Sequence, residues 1–538
     1  MSHPPFCRPI RLAALVATAL SAMGSPAGAQ QTAPTSALTQ SVDRILDRPL
    51  VNQAHWGVLA VDLDSGETLY ELNSARKFIP ASNMKILITS AALWELGPEY
   101  RYRTQIHAVG EREGDVLRGD LVLLPSGDPT LSKRWGDGDE DGLRLLAQQV
   151  ALAGLRTVSG DLIIAAPRWD STRVPDSWMT GNIPWGFSAV SGPFAIAEGT
   201  TTIAVQATSV GERALITWSP AGTRDFVIGE IMTVAQSDES ARIRTTWLPE
   251  SRVHRISGTI RAGSTDDIEV STKVPVREAR ERMVQLLGEA GVAVLGLTAP
   301  VTGWVETPPT SSMLSERAEL MAPPTPVRLR QPIIWAEADS LPLGCDPDQI
   351  PYCDLEDPIA WIDSPTLLEI ARGALEPSQN WITEQLLKTI GLETTGVASW
   401  TTGTAAVKEI LNRRAAVDTL DLYLQDGSGL SAYNLITPRA VIAILTAMDR
   451  SPLSEDYRFA LAAPGEEDST LERRLSELDG RLQAKTGTLS NVNSLSGYVV
   501  TESGRRVVFS ILTNGSGLDS SHMRAAIDDV ARALGAGG

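Results

Sequence analysis

Pro80-Ala81-Ser82-Asn83-Met84-Lys85 leads into Ile86-Leu87-Ile88-Thr89-Ser90-Ala91-Ala92-Leu93-Trp94-Glu95-Leu96-Gly97. The run has no internal glycine or proline, and Gly97 closes it. That pattern predicts a helix with Ser82 in its first turn and Gly97 as its stop. Residues three apart share a helix face, so Ser82 and Lys85 present hydroxyl and amine side by side. The run is apolar almost all round, which marks the buried central helix of a domain. A lysine at the edge of such a core loses solvation, and its pKa falls. A neutral lysine amine can take the proton of a serine hydroxyl and make it a nucleophile. The other reading of the same six residues is an N-cap serine with a snorkelling lysine behind it.

The chain carries its own control. Ser74-Ala75-Arg76-Lys77 repeats the spacing, but Pro80 follows within three residues and breaks any helix continuing from it. Ser74 therefore reads as a surface serine, and Ser82 as the candidate.

The 538 residues allow two to four domains. Residues 1–29 read as a secretory leader. Arg8 and Arg11 are its basic start, Leu12 to Met23 its short apolar centre, and Ala27-Gly28-Ala29 its cleavage site. No later stretch has the length of a membrane helix. The expectation is a soluble exported protein, periplasmic where the cell has a periplasm. Loss of Arg8 and Arg11 would take the formal charge from -18 to -20, which argues against nucleic acid and anionic membranes as partners. Cys345 and Cys353 would remain, and in an oxidising compartment they read as one small-loop disulfide rather than a metal site. No H-E-x-x-H, G-x-S-x-G, dinucleotide fingerprint or P-loop occurs. No metal or organic cofactor is implied.

Along the chain, a helix begins at Ser41–Leu46. Trp56–Leu63 and Thr68–Leu72 form a hairpin that feeds the Ser82 helix, placing that serine between a sheet and a helical layer. From about Tyr100 the texture changes to short strands with helices at Leu143–Ala153 and Arg277–Ala290. Trp178–Val190 is a loop rich in Trp, Pro and Gly, and Thr201–Val270 is strand-rich. Val301–Pro358 is proline-rich and poorly periodic, which reads as an insertion or lid. Helical patterns return at Ser364–Ile370, Ser378–Leu387 and Pro438–Met448. Two antiparallel strands near the end precede a closing helix at Ser521–Leu534.

Lysine is rare, at positions 77, 85, 133, 273, 388, 408 and 485, and two of these sit in motifs. One is Ser82-x-x-Lys85. The other is Lys485-Thr486-Gly487, and Ser378-Gln379-Asn380 lies between them in order. Singly, Ser378 and Asn380 read as a helix cap and Lys485 as a strand-edge lysine guarding against aggregation. The ordered trio is far more specific, and closely resembles the motif set of penicillin-binding proteins and serine β-lactamases.

The sequence resembles one branch closely: the class C low-molecular-mass penicillin-binding proteins, D-alanyl-D-alanine carboxypeptidase/endopeptidases with inserted domains. The likeness extends through Gly119–Leu131, Ser378–Gly391, Asp426-Gly427-Ser428-Gly429-Leu430-Ser431 and Ala484–Val499. The separation of almost three hundred residues between Ser82 and Ser378 fits that branch. The resemblance implies an α/β, transpeptidase-like domain with an antiparallel sheet flanked by helices, split in sequence into 37–103 and 358–535. Two mostly β inserts would lie between its halves, one from 104–200 and 271–357, the other from 201–270.

It also implies roles. Ser82 would attack the penultimate D-Ala carbonyl and become an acyl-enzyme, with Lys85 as general base. Ser378 would relay a proton to the leaving amine. Asn380 would hold the lysine and the substrate amide. Lys485 and Thr486 would take the terminal carboxylate, Gly487 would line the subsite, and the N–H groups of Ser82 and Thr488 would form the oxyanion hole. Substrates would be peptidoglycan stem peptides, and β-lactams would inhibit. In members that read diaminopimelate, the resemblance implies an acidic residue five positions before the Phe of F-S-A and an arginine after G-L-S. Aligning Phe187-Ser188-Ala189 puts Asn182 and Ala432 there, so both charges are missing. The long segment 301–358 is the expected source of a substitute pocket. Two alternatives stand beside this reading: a β-lactamase or esterase of the same chemistry, and a wall-binding scaffold with a disused site.

Overall fold

The computed structural model describes residues 36–219, 226–247, 253–296, 333–335, 352, 355 and 357–537. The expected leader at 1–29, Cys345, Cys353 and most of 301–357 lie outside the described residues. Among the described residues, no helix is long and apolar enough to cross a membrane.

A five-stranded antiparallel sheet is assembled from both ends of the chain. Its order is Leu482–Leu489, Val492–Val500, Arg506–Asn514, His55–Asp62, Thr68–Leu72. Successive side chains along a strand point to opposite faces. Val507, Phe509 and Ile511 therefore face one core with Val58 and Ala60, while Val508 and Leu512 face the other with Leu59. The helices Ala37–Leu46 and Ser520–Ala536 cover the first face. The second is covered by Met84–Leu96 together with Leu367–Leu375, Asn380–Thr395, Trp400–Ala415 and Pro438–Asp449. Because both faces are covered, the central strands His55–Asp62 and Arg506–Asn514 are buried along most of their length.

The serine helix lies in the middle of the helical layer. Every residue from Met84 to Leu93 is buried. Gly97 ends the helix at φ 86°, a backbone conformation that favours glycine.

Two further bodies sit between the halves. The first is a seven-stranded sheet built around Arg103–Glu113 and Val116–Leu124, with Ala360–Asp363 pairing in from the second half of the chain. The helices Asp141–Leu152 and Pro275–Glu289 share its core. The second body is all β. Two three-stranded sheets, one of Thr200–Gln206, Leu215–Ser219 and Thr265–Ser271, the other of Phe226–Val234, Ile243–Trp247 and Val253–Arg261, enclose a small core. The core holds Ile203, Val205, Ile231, Ile256, Ile260, Ile268 and Val270.

Candidate active site

Ser82 lies in a single 3-10 turn, Ala81–Asn83, that runs straight into the helix Met84–Leu96. Between Pro80 and Leu93 it alone is not buried. The residue before it, Ala81, is held at φ 48°, which is costly for a residue with a Cβ. The carbonyl of Ala81 is closely approached by Gly429 at φ 85°, where any side chain would collide with it. Ser82 does not cap the helix. Its hydroxyl lies 2.9 Å from Lys85 Nζ, as expected of two residues on one face.

Lys85 is fully buried, and its amine has three neighbours. They are Ser82 Oγ, Asn380 Oδ1 at 2.6 Å and the Ser428 carbonyl at 3.0 Å. Burial pulls its pKa down to about 7, against the opposing charges of Glu384 and Asp426. A neutral fraction of the amine is therefore available near neutral pH.

Asn380 opens the helix Asn380–Thr395, one residue after the cap. The cap is Gln379, whose Oε1 accepts from the Trp381 N–H at 2.7 Å. Asn380 is thus free to face the cluster, with Nδ2 donating to the Phe187 carbonyl at 2.9 Å. Gln379 Nε2 also donates to Glu198, which pairs with Arg134 in the inserted region. Gln385 on the same helix bonds the Gly127 and Gly192 backbone. Loops of the 104–200 region are therefore docked on the helix that presents Asn380.

Two buried carboxylates organise the loop that supplies the Ser428 carbonyl. Glu384 accepts from the N–H groups of Gly427 at 3.0 Å and Ser428 at 2.7 Å, and from Trp400 Nε1 at 2.7 Å. Burial, and then the charge of Asp426, raise its pKa to about 7. Asp426 accepts from the N–H groups of Gly429 and Ser431, from Trp178 Nε1 and from Asn434 Nδ2. Sequence patterning finds only a turn at 426–431. The available signal is a carboxylate four residues after Asn380, on the same helix face as the motif asparagine.

The edge strand Leu482–Leu489 closes the site. Lys485 is fully buried, so it is no exposed edge guard, and its Nζ donates to the Thr486 carbonyl at 3.0 Å. Burial, then the Lys85 charge, holds its pKa well below the ordinary lysine value. Gly487 runs beside Ser82 and Pro80. The Thr486 hydroxyl bonds Thr470 Oγ1 at 2.9 Å, and Thr488 is exposed at the end of the strand.

The structure thus gathers Ser82, Lys85 and Asn380 by direct contact, with Gly487 beside Ser82. Ser378 is half-buried at φ 66°, and its hydroxyl makes no hydrogen bond among the described residues. Phe187 enters through its backbone carbonyl, while its ring stacks on Trp185 with centroids 6.5 Å apart. Asn182 stands in a turn closed by Met179 and Trp185 backbone bonds, and its side chain makes no hydrogen bond to the other site residues. Ser74, expected at the surface, is buried instead. Its hydroxyl donates to Glu71, which satisfies it, and it faces no lysine amine.

The family model described as "D-Ala-D-Ala carboxypeptidase 3 (S13) family" matches residues 38–303 and 352–534. The chain belongs to that family. The interruption of the match falls within the proline-rich stretch. A D-alanyl-D-alanine carboxypeptidase of Actinomadura sp. (strain R39) is 32% identical over 530 residues, 94% of this chain and 87% of the relative. The D-alanyl-D-alanine carboxypeptidase DacB of Haemophilus influenzae is 22% identical, over 91% of this chain and 92% of its own. The crystal structure of penicillin binding protein 4 (dacB) from Haemophilus influenzae superposes with a TM-score of 0.72 at 19% identity, covering 92% of this chain and 98% of that one. At that identity the likeness speaks for the fold.

Proposed function

We propose that this S13-family chain is an exported serine DD-peptidase that cleaves the D-alanyl-D-alanine end of peptidoglycan stem peptides. Ser82 Oγ attacks the penultimate carbonyl as its proton passes to the neutral Lys85 amine. The C–N bond then breaks, and the departing D-Ala amine takes a proton delivered by way of Ser378. A water hydrolyses the ester and restores Ser82. Lys485 and Thr486 receive the terminal carboxylate, and Asn380 holds the base. The Ser82 and Thr488 N–H groups take the oxyanion, an arrangement that typically supplies about a hundredfold or more in rate. The observation that carries this reading is a buried amine, its pKa near neutral, lying 2.9 Å from the one accessible residue of its turn and helix core.

The same geometry speaks against rapid β-lactam turnover. Glu384 and Asp426, the carboxylates whose charge reaches Lys85, are occupied by loop N–H donors. Neither is free to activate a water on a penicilloyl ester. The test is labelling with a fluorescent penicillin beside Ser82→Ala, with the adduct located by mass spectrometry. A stable adduct on Ser82, lost in the variant, is expected. A folded protein that takes no label would overturn the mechanism, and fast release of hydrolysed penicillin would make the chain a β-lactamase.

Beside Phe187 a groove of about 510 Å³ is lined by Trp185, Lys133, Asp266, Asp267 and Glu269, among others. Carboxylates outnumber the lysine, so the groove favours an ammonium-bearing part of the substrate. On this reading it compensates for the missing acidic residue at Asn182.

A further inference from the structure

We propose that Glu384 is a positioning residue for the base, acting on Lys85 through the Ser428 backbone carbonyl. The inference rests on the peptidase reading above and deepens it. A neutral lysine amine has two N–H bonds and one lone pair. Of the three partners of Lys85, Asn380 Oδ1 and the Ser428 carbonyl can only accept, whereas the Ser82 hydroxyl can also donate. When both acceptors hold the two N–H bonds, the lone pair is left pointing at Ser82. Removing either acceptor frees the amine to turn.

One helix controls both acceptors. Asn380 and Glu384 are four residues apart, on the same face of Asn380–Thr395. Asn380 reaches the amine directly. Glu384 reaches it at one remove, gripping the N–H groups of Gly427 and Ser428 at 3.0 and 2.7 Å. The Ser428 residue whose N–H is held is the one whose C=O faces Lys85. Trp400 Nε1 fixes the carboxylate from the next helix at 2.7 Å. Lys388 lies 3.6 Å above the Trp400 ring and pairs with Asp170 at 3.0 Å.

The charge of Glu384 acts as well as its grip. The groups facing it are Lys388 on its own helix, Asp426 on the loop and Lys85 on the serine helix. In its ionised form, Glu384 favours the protonated form of Lys85. A neutral isostere therefore lowers the Lys85 pKa further while loosening the Ser428 carbonyl. Glutamine is a demanding replacement, because its NH₂ would meet a ring of donors.

The test compares wild type, Glu384→Gln, Glu384→Asp and Trp400→Phe. Each is assayed for the pH dependence of penicillin acylation at Ser82 and for kcat and KM on a D-Ala-D-Ala peptide, with a thermal melt to measure the folded fraction. In Glu384→Gln we expect kcat to fall about ten- to a hundredfold, the scale of a misplaced reacting group, with little change in KM. Its acidic limb should move to lower pH. Glu384→Asp keeps the charge and should return the limb toward wild type. Trp400→Phe removes one donor but leaves the carboxylate, so its limb should move the same way by less, and it serves if Glu384→Gln does not fold. A wild-type limb in folded Glu384→Gln, or in Trp400→Phe where Glu384→Gln does not fold, or a rate loss matched by the unfolded fraction, would overturn the role. Failure of wild type to acylate at Ser82 would instead overturn the peptidase reading.

Discussion

Gly487 passes so close to Ser82 that a methyl group at position 487 would lie 2.9 Å from the Ser82 backbone nitrogen. The same methyl would meet Ser494 Oγ at 2.2 Å and the Pro80 carbonyl at 3.0 Å. Ser494 Oγ, on the paired strand Val492–Val500, is itself tied to the Pro80 carbonyl at 2.8 Å, so that strand holds the nucleophile turn in place. Gly487→Ala must push the strand away from the Ser82 N–H, one proposed oxyanion donor. We expect acylation by penicillin to slow about a hundredfold, the cost of one misplaced donor. Overpacking should lower stability by about 1–3 kcal/mol, leaving a folded protein. Stopped-flow labelling and a thermal melt check both. Wild-type acylation would show that the N–H plays no part.

The pH dependence follows from Lys85. Its pKa is lowered to about 7 by burial, so the amine is charged below that value and neutral above it. Only the neutral form accepts the Ser82 proton, so acylation should rise with pH through about 7 and level off above it. Well below 7, each unit should cost about tenfold. Lys85→Arg keeps a permanent charge and should abolish acylation at every pH. Rates measured from about pH 5 to 9 decide this, and a flat profile would remove Lys85 as the base.

The parts of this site that were legible in sequence are those fixed by local spacing. Ser82 and Lys85 are three apart, and helix geometry alone brings them together. Gly97 marks the helix end because few other residues take its backbone conformation. Ser378 and Asn380 were legible as a motif but not in their conformations: Gln379 forms the cap, leaving Ser378 at φ 66° outside the helix. The contacts of Lys85 with the Ser428 carbonyl, and of Asn380 with the Phe187 carbonyl, were not legible. A backbone carbonyl carries no residue-type signal, and both arise from loops distant in sequence. The helix Trp400–Ala415 is poorly legible in sequence for a related reason. Its start, Trp400-Thr401-Thr402-Gly403-Thr404, is poor in helix formers and depends on the Ser399 capping box and on close packing at Gly403 against Leu387.

Lys485 should matter through charge rather than through hydroxyl activation alone. Its amine is fully buried, its pKa pulled down first by burial and then by Lys85. A bound substrate carboxylate would supply a counter-charge that Lys485 lacks among the described residues, and favour the protonated form. Lys485→Ala should therefore reduce kcat/KM for a D-Ala-D-Ala peptide by about a hundredfold, the scale of losing one partner of a buried charged pair. A substrate with its terminal carboxylate amidated should be a poor substrate of the wild type, and should lose little more in the variant. Equal proportional losses on both substrates would mean that Lys485 does not read the carboxylate.

Specificity for the third stem-peptide residue should be set in the groove between the Phe187 loop and the strand Thr265–Ser271. Gly186 comes so close to Glu269 that a Cβ on it would lie 2.7 Å from the Glu269 Cβ, so the Phe187 loop packs directly on that strand. Asp266 and Asp267 flank it, and Lys133 is the basic member of the lining. An ammonium at the third side chain should therefore be preferred over the same side chain acetylated. The gain should be modest, about three- to tenfold in kcat/KM, because these carboxylates are exposed and screened. Added salt should erode it, and Glu269→Gln should halve it or more while acylation by penicillin stays unchanged. Stem peptides that differ only at this residue give the measurement. Equal kcat/KM for free and blocked side chains at low salt would exclude the groove from recognition.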